Sequence, residues 1–249
     1  MSFPTAPDII LDRISLAFAG QPLFTNLSLT LPGGRTTCIL GPSGCGKSTL
    51  LKLMAGAPNV PFTGTVRLEP MPAARGQVAW MSQSDLLLPW LTLLDNVLLG
   101  ARLRGELSPA LRDHALALIL EAGLAGCEDK LPASLSGGMR QRGALLRTLM
   151  EQRPVILMDE PFSALDALTR VRLQNLAARL TRDATVVLVT HDPLEALRLG
   201  HRIIVLGGSP VNVLETIEPA SPTPREPGDP GVAALHAGLL SRLMDPEAA

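Results

Sequence analysis

The sequence contains little cysteine and no long apolar run, and both absences narrow the class of protein. Its 249 residues include three cysteines, an odd number with no CxxC pair, which predicts a reducing compartment and no zinc site. The apolar stretch at residues 86–94 is interrupted by Pro89 and Thr92 and falls short of the roughly 18 residues of a membrane helix. The first ten residues lack the basic and apolar segments of a secretory signal. We therefore expect a chain that neither spans a bilayer nor is secreted.

Charged residues are also scarce, at 18%, whereas hydrophobic residues make up 46%. This balance excludes disorder over most of the chain and leaves enough apolar material for a sizeable core. The formal net charge is −1, so global charge does not attract the chain to nucleic acid or to an anionic membrane. Nucleic acid is accordingly not expected as a partner.

Apolar patterning predicts an α/β fold with a mostly parallel sheet. Residues 9–31 alternate as strand, turn and strand, which is typical of an antiparallel β subdomain. Continuous apolar runs, typical of buried parallel strands, occur at residues 155–158, 186–189 and 203–206. Helical spacing from about residue 86 predicts a helical insert of some size.

A glycine-rich loop lies between a predicted strand at residues 36–40 and a predicted helix. It consists of Gly41, Pro42, Ser43, Gly44, Cys45, Gly46, Lys47 and Ser48, and Thr49 follows it. The order satisfies the phosphate-loop pattern G-x-x-x-x-G-K-[ST] in the strand-to-helix context that this pattern requires. We expect backbone N–H groups of the loop to bind phosphates, Lys47 to reach the β and γ phosphates, and Ser48 to hold Mg²⁺. A glycine-rich turn that matches by chance is the alternative.

Two carboxylates follow the apolar run at residues 155–158. Asp159 is expected to hold Mg²⁺ through water, and Glu160 to accept a proton from an attacking water. Taken alone, the pair is equally typical of a solvated acidic turn. The phosphate loop favours the catalytic interpretation.

Residues 135–142 read LSGGMRQR. With the two preceding motifs, this segment resembles the ATP-binding cassette family, whose signature is LSGGQ. The resemblance implies an α/β fold: a P-loop NTPase core of the RecA-like type with an antiparallel β subdomain and a helical insert. It also implies an ATPase that uses ATP and Mg²⁺. In the family, the positions of Ser136, Gly137 and Gly138 face the phosphate loop of a second copy, so a dimer, here expected to be a homodimer, encloses two nucleotides.

Four further positions match family motifs in the family's order. Gln83 matches the glutamine that touches Mg²⁺ and the attacking water, and His191 matches the switch histidine that contacts the γ-phosphate. Asp166 lies in a loop that matches the one crossing the dimer interface, although it also suits a helix cap. Phe18 lies where the family places an aromatic ring that stacks on adenine, although it also continues a strand alternation and suits the core. The catalytic residues implied by the resemblance are Lys47, Gln83, Glu160 and His191.

The resemblance also divides the chain. It implies an ATP-binding domain over residues 1–217, with a core at about 1–85 and 152–217 and a helical insert at about 86–151. Residues 218–249 remain as a proline-rich linker, with five prolines between Pro219 and Pro230, followed by a short helix over residues 233–244.

The signature departs from the family pattern at Met139. The form LSGGM and the segment LLPWLTLLDNV at residues 87–97 resemble the importer branch for nitrate, sulfonate, taurine and pyrimidine precursors. That branch implies a transmembrane permease partner and, indirectly, a periplasmic or extracellular solute-binding protein. The chain would then be peripheral, on the cytoplasmic face of the inner (plasma) membrane.

Several apolar residues of the insert are expected to be exposed and to receive the permease, with burial in the core as the alternative. These residues are Leu86, Leu87, Leu88 and Trp90. Two other classes rank below the importer. A cassette ATPase acting on DNA or ribosomes is disfavoured because residues 49–135 contain no sustained heptads and the chain carries one cassette. A P-loop kinase has no need of LSGGM.

Overall fold

The computed structural model describes residues 6–57, 61–70 and 76–243. These residues fall into two compact units. The first takes the described parts of residues 1–78, 153–160 and 181–249, and the second takes residues 79–152 and 161–180. Residues 161–180, which the sequence analysis placed in the core, are thus grouped with the helical unit.

The strands and helices follow one another in an α/β order. The strands are β1 (Asp8–Phe18), β2 (Gln21–Leu31), β3 (Thr36–Leu40), β4 (Thr63–Glu69), β5 (Val78–Met81), β6 (Val155–Asp159), β7 (Thr185–Val189), β8 (Arg202–Gly207) and β9 (Asn212–Ile217). The helices are α1 (Lys47–Met54), α2 (Leu93–Val97), α3 (Leu99–Leu103), α4 (Pro109–Glu121), α5 (Gly137–Leu149), α6 (Ala167–Leu180), α7 (Pro193–Leu199) and α8 (Pro230–Leu243). Within the described ranges, none of these helices is long and apolar enough to cross a membrane.

The first unit contains both predicted kinds of sheet. An antiparallel sheet has the strand order β2-β1-β4, and its alternation places Ile9, Leu11 and Ile14 in the core. A second sheet runs in the order β6-β7-β3-β8-β9; β6, β7, β3 and β8 are parallel, and β9 is antiparallel to β8. Because β3, β6 and β7 are parallel neighbours, the loops that follow them leave the same edge of the sheet.

Helix α1 joins the two sheets of the first unit into one core. Its Leu50, Leu51 and Met54 are fully buried and belong to the same apolar cluster as Ile39 of β3 and Leu157 of β6. Burial of this helical face fixes where α1 begins, and therefore fixes the loop that precedes it.

The second unit is built mainly from α2 to α6. Leu93 and Val97 of α2 are buried, as is Leu145 of α5, and α2 packs against α5. Helices α2, α4 and α5 begin at side-chain caps: Thr92 accepts from the N–H of Asp95, and Ser108 and Ser136 cap α4 and α5 in the same way.

The apolar residues expected to be exposed differ from one another. Leu86 and Trp90 are exposed, at 62% and 70%, and Leu88 is half-buried. Leu87 was wrongly expected to be exposed: it is 7% exposed and lies near Gly143 of α5. Neighbouring side chains of residues 86–90 point in different directions, so Leu87 packs near α5 while Leu86 and Trp90 face solvent.

The carboxyl-terminal segment packs on the first unit through a helix and an arginine. Helix α8 begins at Pro230, three residues before the predicted start, and the predicted end at Met244 lies outside the described residues. Val232 and Leu239 are buried, and α8 packs against α7. Ahead of this helix, Arg225 is 3% exposed and donates hydrogen bonds to the carbonyls of Leu197 and Gly200. The proline-rich linker is therefore an anchored part of the first unit.

Candidate functional site

The phosphate loop curls between the carboxyl end of β3 and the amino terminus of α1. Gly46 precedes α1 with a φ of 91°, in the left-handed region that favours glycine. The backbone conformation therefore favours glycine at this position, and a Cβ added there would also displace the side chain of Leu23, 2.8 Å away at Cδ2. The loop can therefore bring its backbone N–H groups close to an anion at the start of the helix.

The side chain of Lys47 reaches back into the phosphate loop. Its side chain is buried, and Nζ donates hydrogen bonds of 2.7 Å to the carbonyl oxygens of Gly41 and Pro42. The ammonium is thus fixed at the centre of the curl, where an anion held by the loop would meet it. Of the other loop residues, Ser43 and Gly44 are exposed, and Cys45, Ser48 and Thr49 are half-buried. Burial raises the pKa of the Cys45 thiol, so the neutral thiol is favoured.

Ser48 and Asp159 lie close together in the first unit. Burial raises the pKa of Asp159, at the end of β6, whereas the nearby hydroxyl of Ser48, in the first turn of α1, and the charge of Lys47 lower it. The two residues predicted to hold a cation are therefore adjacent, and both offer oxygen.

Glu160 and His191 meet at the same edge of the sheet. The Glu160 carboxylate Oε1 lies 3.0 Å from His191 Nδ1, and the Glu160 N–H donates to the carbonyl of Val189 at the end of β7. Glu160 has a φ of 48°, an uncommon conformation for a residue with a side chain. Strained backbone of this kind is concentrated at functional sites, because the surrounding structure must maintain it.

The signature residues form the amino terminus of α5 in the second unit. Ser136 caps the helix, with Oγ accepting a 3.3 Å hydrogen bond from the N–H of Met139. Gly137 and Gly138 form the first turn of the helix, so their N–H groups have no earlier carbonyl of that helix to bind. This arrangement fits an anion site made from backbone donors.

The remaining predicted residues are exposed. Gln83 lies in a bend of the second unit. Asp166 caps α6, because Oδ1 accepts from the N–H of Thr169, and this hydrogen bond lowers the pKa of Asp166. Phe18 is 52% exposed at the end of β1, so it does not join Ile14 and Leu16 in the core. Its ring is accessible for stacking, as the resemblance implies.

Gln141 was not singled out as a functional residue by the sequence analysis. The signal available was a polar residue on the apolar face of α5, at helical spacing from Ala144, Leu145 and Thr148, all of which are buried. Its contacts are described below.

A parallel sheet with a phosphate loop at its carboxyl edge, and with acidic residues and a histidine at the same edge, defines a P-loop NTPase. Residues 24–163 match the family described as "ABC transporter". A Haemophilus influenzae protein described as an uncharacterized ABC transporter ATP-binding protein is 44% identical over 234 residues, covering 92% of this chain and 96% of its own. An aliphatic sulfonates import ATP-binding protein of Pseudomonas syringae pv. syringae is 42% identical over 230 residues, covering 92% of each chain.

A solved structure supports the same assignment. It is a dimeric ATP-binding cassette in a post-hydrolysis state, bound to ADP and Pi, and matches with a TM-score of 0.73 and 28% identity over 88% of this chain and 99% of its own. The chain belongs to the ABC transporter family. It is an ATP-binding subunit and an ATPase.

Proposed function

We propose that the chain is the ATP-hydrolysing subunit of a membrane importer, acting as a homodimer around two ATP molecules with Mg²⁺. The observation that carries the proposal is the contact of Glu160 with His191 at the same sheet edge as the phosphate loop. At that edge lie the ammonium of Lys47, the carboxylate of Glu160 and the imidazole of His191, which are the groups needed to hydrolyse a phosphoanhydride.

The residues present fit Mg²⁺. Mg²⁺ prefers oxygen ligands, and the Ser48 hydroxyl and Asp159 carboxylate supply them side by side. Burial raises the pKa of Asp159, and a divalent cation bound beside it would favour the charged carboxylate. When bound, the ion would neutralise charge on the β and γ phosphates. Gln83 is proposed as a third Mg²⁺ ligand because it matches the family's glutamine that touches the ion.

The hydrolytic roles follow from the groups of the first unit. Lys47 would bind the terminal phosphates from the centre of the loop, together with the loop N–H groups. Glu160 would accept the proton of the attacking water, and His191 would orient that carboxylate and contact the γ-phosphate. Phe18 would stack on the adenine.

The dimer would complete each site. A single copy presents the amino terminus of α5, with Ser136 to Gly138, on its second unit. We propose that these donors bind the γ-phosphate held by the partner copy, with the loop containing Asp166 crossing the interface. The dimeric solved structure with ADP and Pi supports this arrangement.

The importer assignment is supported by relatives and by one surface. The relative from P. syringae is described as an aliphatic sulfonates import protein, so a sulfonate or similar small anion is the proposed solute class. Trp90 is 70% exposed in a loop that Asn96 fixes, because its Nδ2 donates to the carbonyls of Leu88, Leu91 and Thr92. A large exposed aromatic on a fixed loop is typical of a protein interface. We propose that a permease binds there, with a solute-binding protein beyond it, and that the chain lies at the cytoplasmic face of the membrane.

The hydrolysis and dimer proposals are tested together with Glu160→Gln. We expect ATP binding to persist, turnover to fall to a trace residual rate, and ATP to convert the 26.4 kDa chain to a dimer of twice that mass. Glu69→Gln is the matched control, since Glu69 is exposed on β4, and should hydrolyse ATP normally. A fully active Glu160→Gln protein, or one that stays monomeric with ATP and Mg²⁺, would overturn the respective proposal.

A further inference from the structure

Gln141 is a buried polar residue in the second turn of α5, five residues after the helix cap Ser136. Its side chain is 7% exposed. A buried amide must have its donors and acceptor satisfied, because an unsatisfied polar group away from water is costly. The partners of Gln141 therefore indicate what this side chain is for.

Both ends of the Gln141 amide bind the loop that precedes α6. Oε1 accepts a 2.9 Å hydrogen bond from the N–H of Ala164, and Nε2 donates to Oγ of Ser163 at 3.2 Å. A backbone N–H can only donate, so Oε1 must face Ala164, and this places Nε2 toward Ser163. Two consecutive loop residues are thus held by one side chain.

Gly138 brings the same loop close to the first turn of α5. A Cβ added to Gly138 would lie 3.1 Å from the carbonyl oxygen of Ala164, tighter than ordinary packing. The loop backbone therefore approaches the signature segment as closely as glycine allows. Gln141 and Gly138 fix the loop at Ala164 from two successive turns of the helix, one by hydrogen bonding and one by contact.

We infer that Gln141 is a positioning residue, which holds the loop Ser163–Asp166 in register with the signature segment Ser136–Gly138. This inference rests on the proposed dimer. Both segments are proposed to reach the second copy, and Gln141 makes them one rigid surface, so that closure need not order them separately. Without it, each closure would have to immobilise a loose loop, at a cost in dimer affinity and no cost in ATP binding by one copy.

The test uses Gln141→Met, which keeps the length of the side chain and removes both hydrogen bonds. In the Glu160→Gln protein, we expect it to raise the ATP concentration for half-maximal dimerisation by at least about fivefold, since the N–H of Ala164 loses its acceptor. ATP affinity measured on dilute monomer should be unchanged. Ser163→Ala removes the longer of the two hydrogen bonds of Gln141 to the loop, so its effect on dimerisation should be smaller in the same direction. Adding Ser163→Ala to Gln141→Met should raise the ATP concentration for half-maximal dimerisation by a smaller factor than Ser163→Ala does alone.

Thr148→Val is the matched control. Thr148 is buried on the same helix, but its hydroxyl bonds within the helix, to the carbonyl of Ala144. We expect normal ATP-driven dimerisation from it. Thr148→Val serves to separate a general weakening of α5 from loss of the loop contact.

The outcomes distinguish the two proposals. If Glu160→Gln alone does not dimerise with ATP, the proposed dimer fails. If it dimerises and Gln141→Met and Ser163→Ala both leave the ATP requirement unchanged, the inference about Gln141 is overturned. A Gln141→Met protein that loses monomer ATP affinity and dimerisation to the same extent would also overturn it, because that result indicates a structural role for Gln141.

Discussion

His191 Nδ1 lies 3.0 Å from Glu160 Oε1, and the two residues follow neighbouring parallel strands, His191 after β7 and Glu160 directly after β6. Glu160 is largely buried, at 19% side-chain exposure, while the ring of His191 is 59% exposed. The ring of His191 is therefore accessible to solvent while its Nδ1 contacts the carboxylate. This geometry ties the proposed base to the residue proposed to sense the γ-phosphate.

If His191 acts through Glu160, their substitutions will not be additive. We expect His191→Ala to lower kcat by about 100-fold or more, in the range for loss of an acid–base group. Adding His191→Ala to Glu160→Gln should change the residual rate by less than about threefold, since the group it orients is already lost. Steady-state phosphate release on the four proteins measures this cycle.

His114 is the control for the cycle, because it is exposed on α4. His114→Ala should turn over at the rate of the unsubstituted protein. If the fold-losses in rate of the two single variants multiply in the double variant, Glu160 and His191 do not act as a unit.

Lys47 and Lys52 provide a matched pair on α1. Lys47 is buried and bonded to the loop carbonyls, whereas Lys52 is exposed in the last turn of the same helix. Lys47→Ala removes a cation from the phosphate site, so we expect at least about a tenfold loss of ATP affinity in a filter-binding assay. Lys52→Ala should bind ATP normally. Equal affinities for the two variants would contradict the phosphate-loop assignment.

His201 predicts a pH dependence of stability. Burial first, then the charges of Arg35 and Arg225, lower the pKa of His201. Its neutral ring accepts a 3.1 Å hydrogen bond from the N–H of Thr36 through Nδ1, and Nε2 pairs with the Thr223 hydroxyl at 3.0 Å. The unfolded chain, with an ordinary pKa of about 6.5, takes up the proton more readily than the folded chain. The stabilisation that neutral His201 contributes should therefore be complete above about pH 6.5. As the pH drops below that value, the free energy of unfolding should fall.

The measurement is urea unfolding at about pH 7.5 and about pH 5.5. His201→Asn keeps an acceptor near the N–H of Thr36 and removes the titrating ring, so it should lose less stability over this interval. Identical losses in both proteins would exclude His201 as the cause.

Arg225 is expected to anchor the carboxyl-terminal segment. It donates to the carbonyls of Leu197 and Gly200, at the end of α7, and also to Pro219 and Ser221. Arg225→Met would leave buried carbonyls without donors, so we expect the free energy of unfolding to fall by about 2–4 kcal/mol. Arg242→Met is the control: Arg242 is exposed and pairs with Glu215 on β9, and its loss should cost less than about 1 kcal/mol. Equal losses in urea unfolding would contradict the anchoring role.

The parts of the fold that the sequence predicted are those encoded by contiguous residues. The phosphate loop is one run from Gly41 to Ser48, and the buried strands β6 and β7 are unbroken apolar runs. Strand β9 was not predicted, because its residues alternate in partial exposure and include an exposed Leu214. An edge strand that is solvated on one face has a weaker apolar pattern than a strand buried on both faces.

The unpredicted contacts join residues far apart in the chain. Gln141 binds residues 22 and 23 positions away, and Arg225 binds carbonyls 25 and 28 positions away. The contacts themselves leave no mark in the sequence, since most of the partner groups are backbone carbonyls or N–H groups, which almost every residue offers. What indicates such a residue in the sequence is only a polar side chain on an otherwise apolar face, or an arginine among prolines.

Whether this ATPase drives a membrane importer is tested most directly by recovering the tagged protein from gently solubilised membranes of its own source, with partners identified by mass spectrometry. We expect a multi-pass membrane protein at one-to-one ratio with this chain. It should be lost on Trp90→Ala and kept in Lys47→Ala, because Trp90 belongs to the proposed permease surface and Lys47 to the phosphate site. Recovery of soluble partners alone, such as ribosomal proteins, would contradict the importer while leaving the ATPase in place.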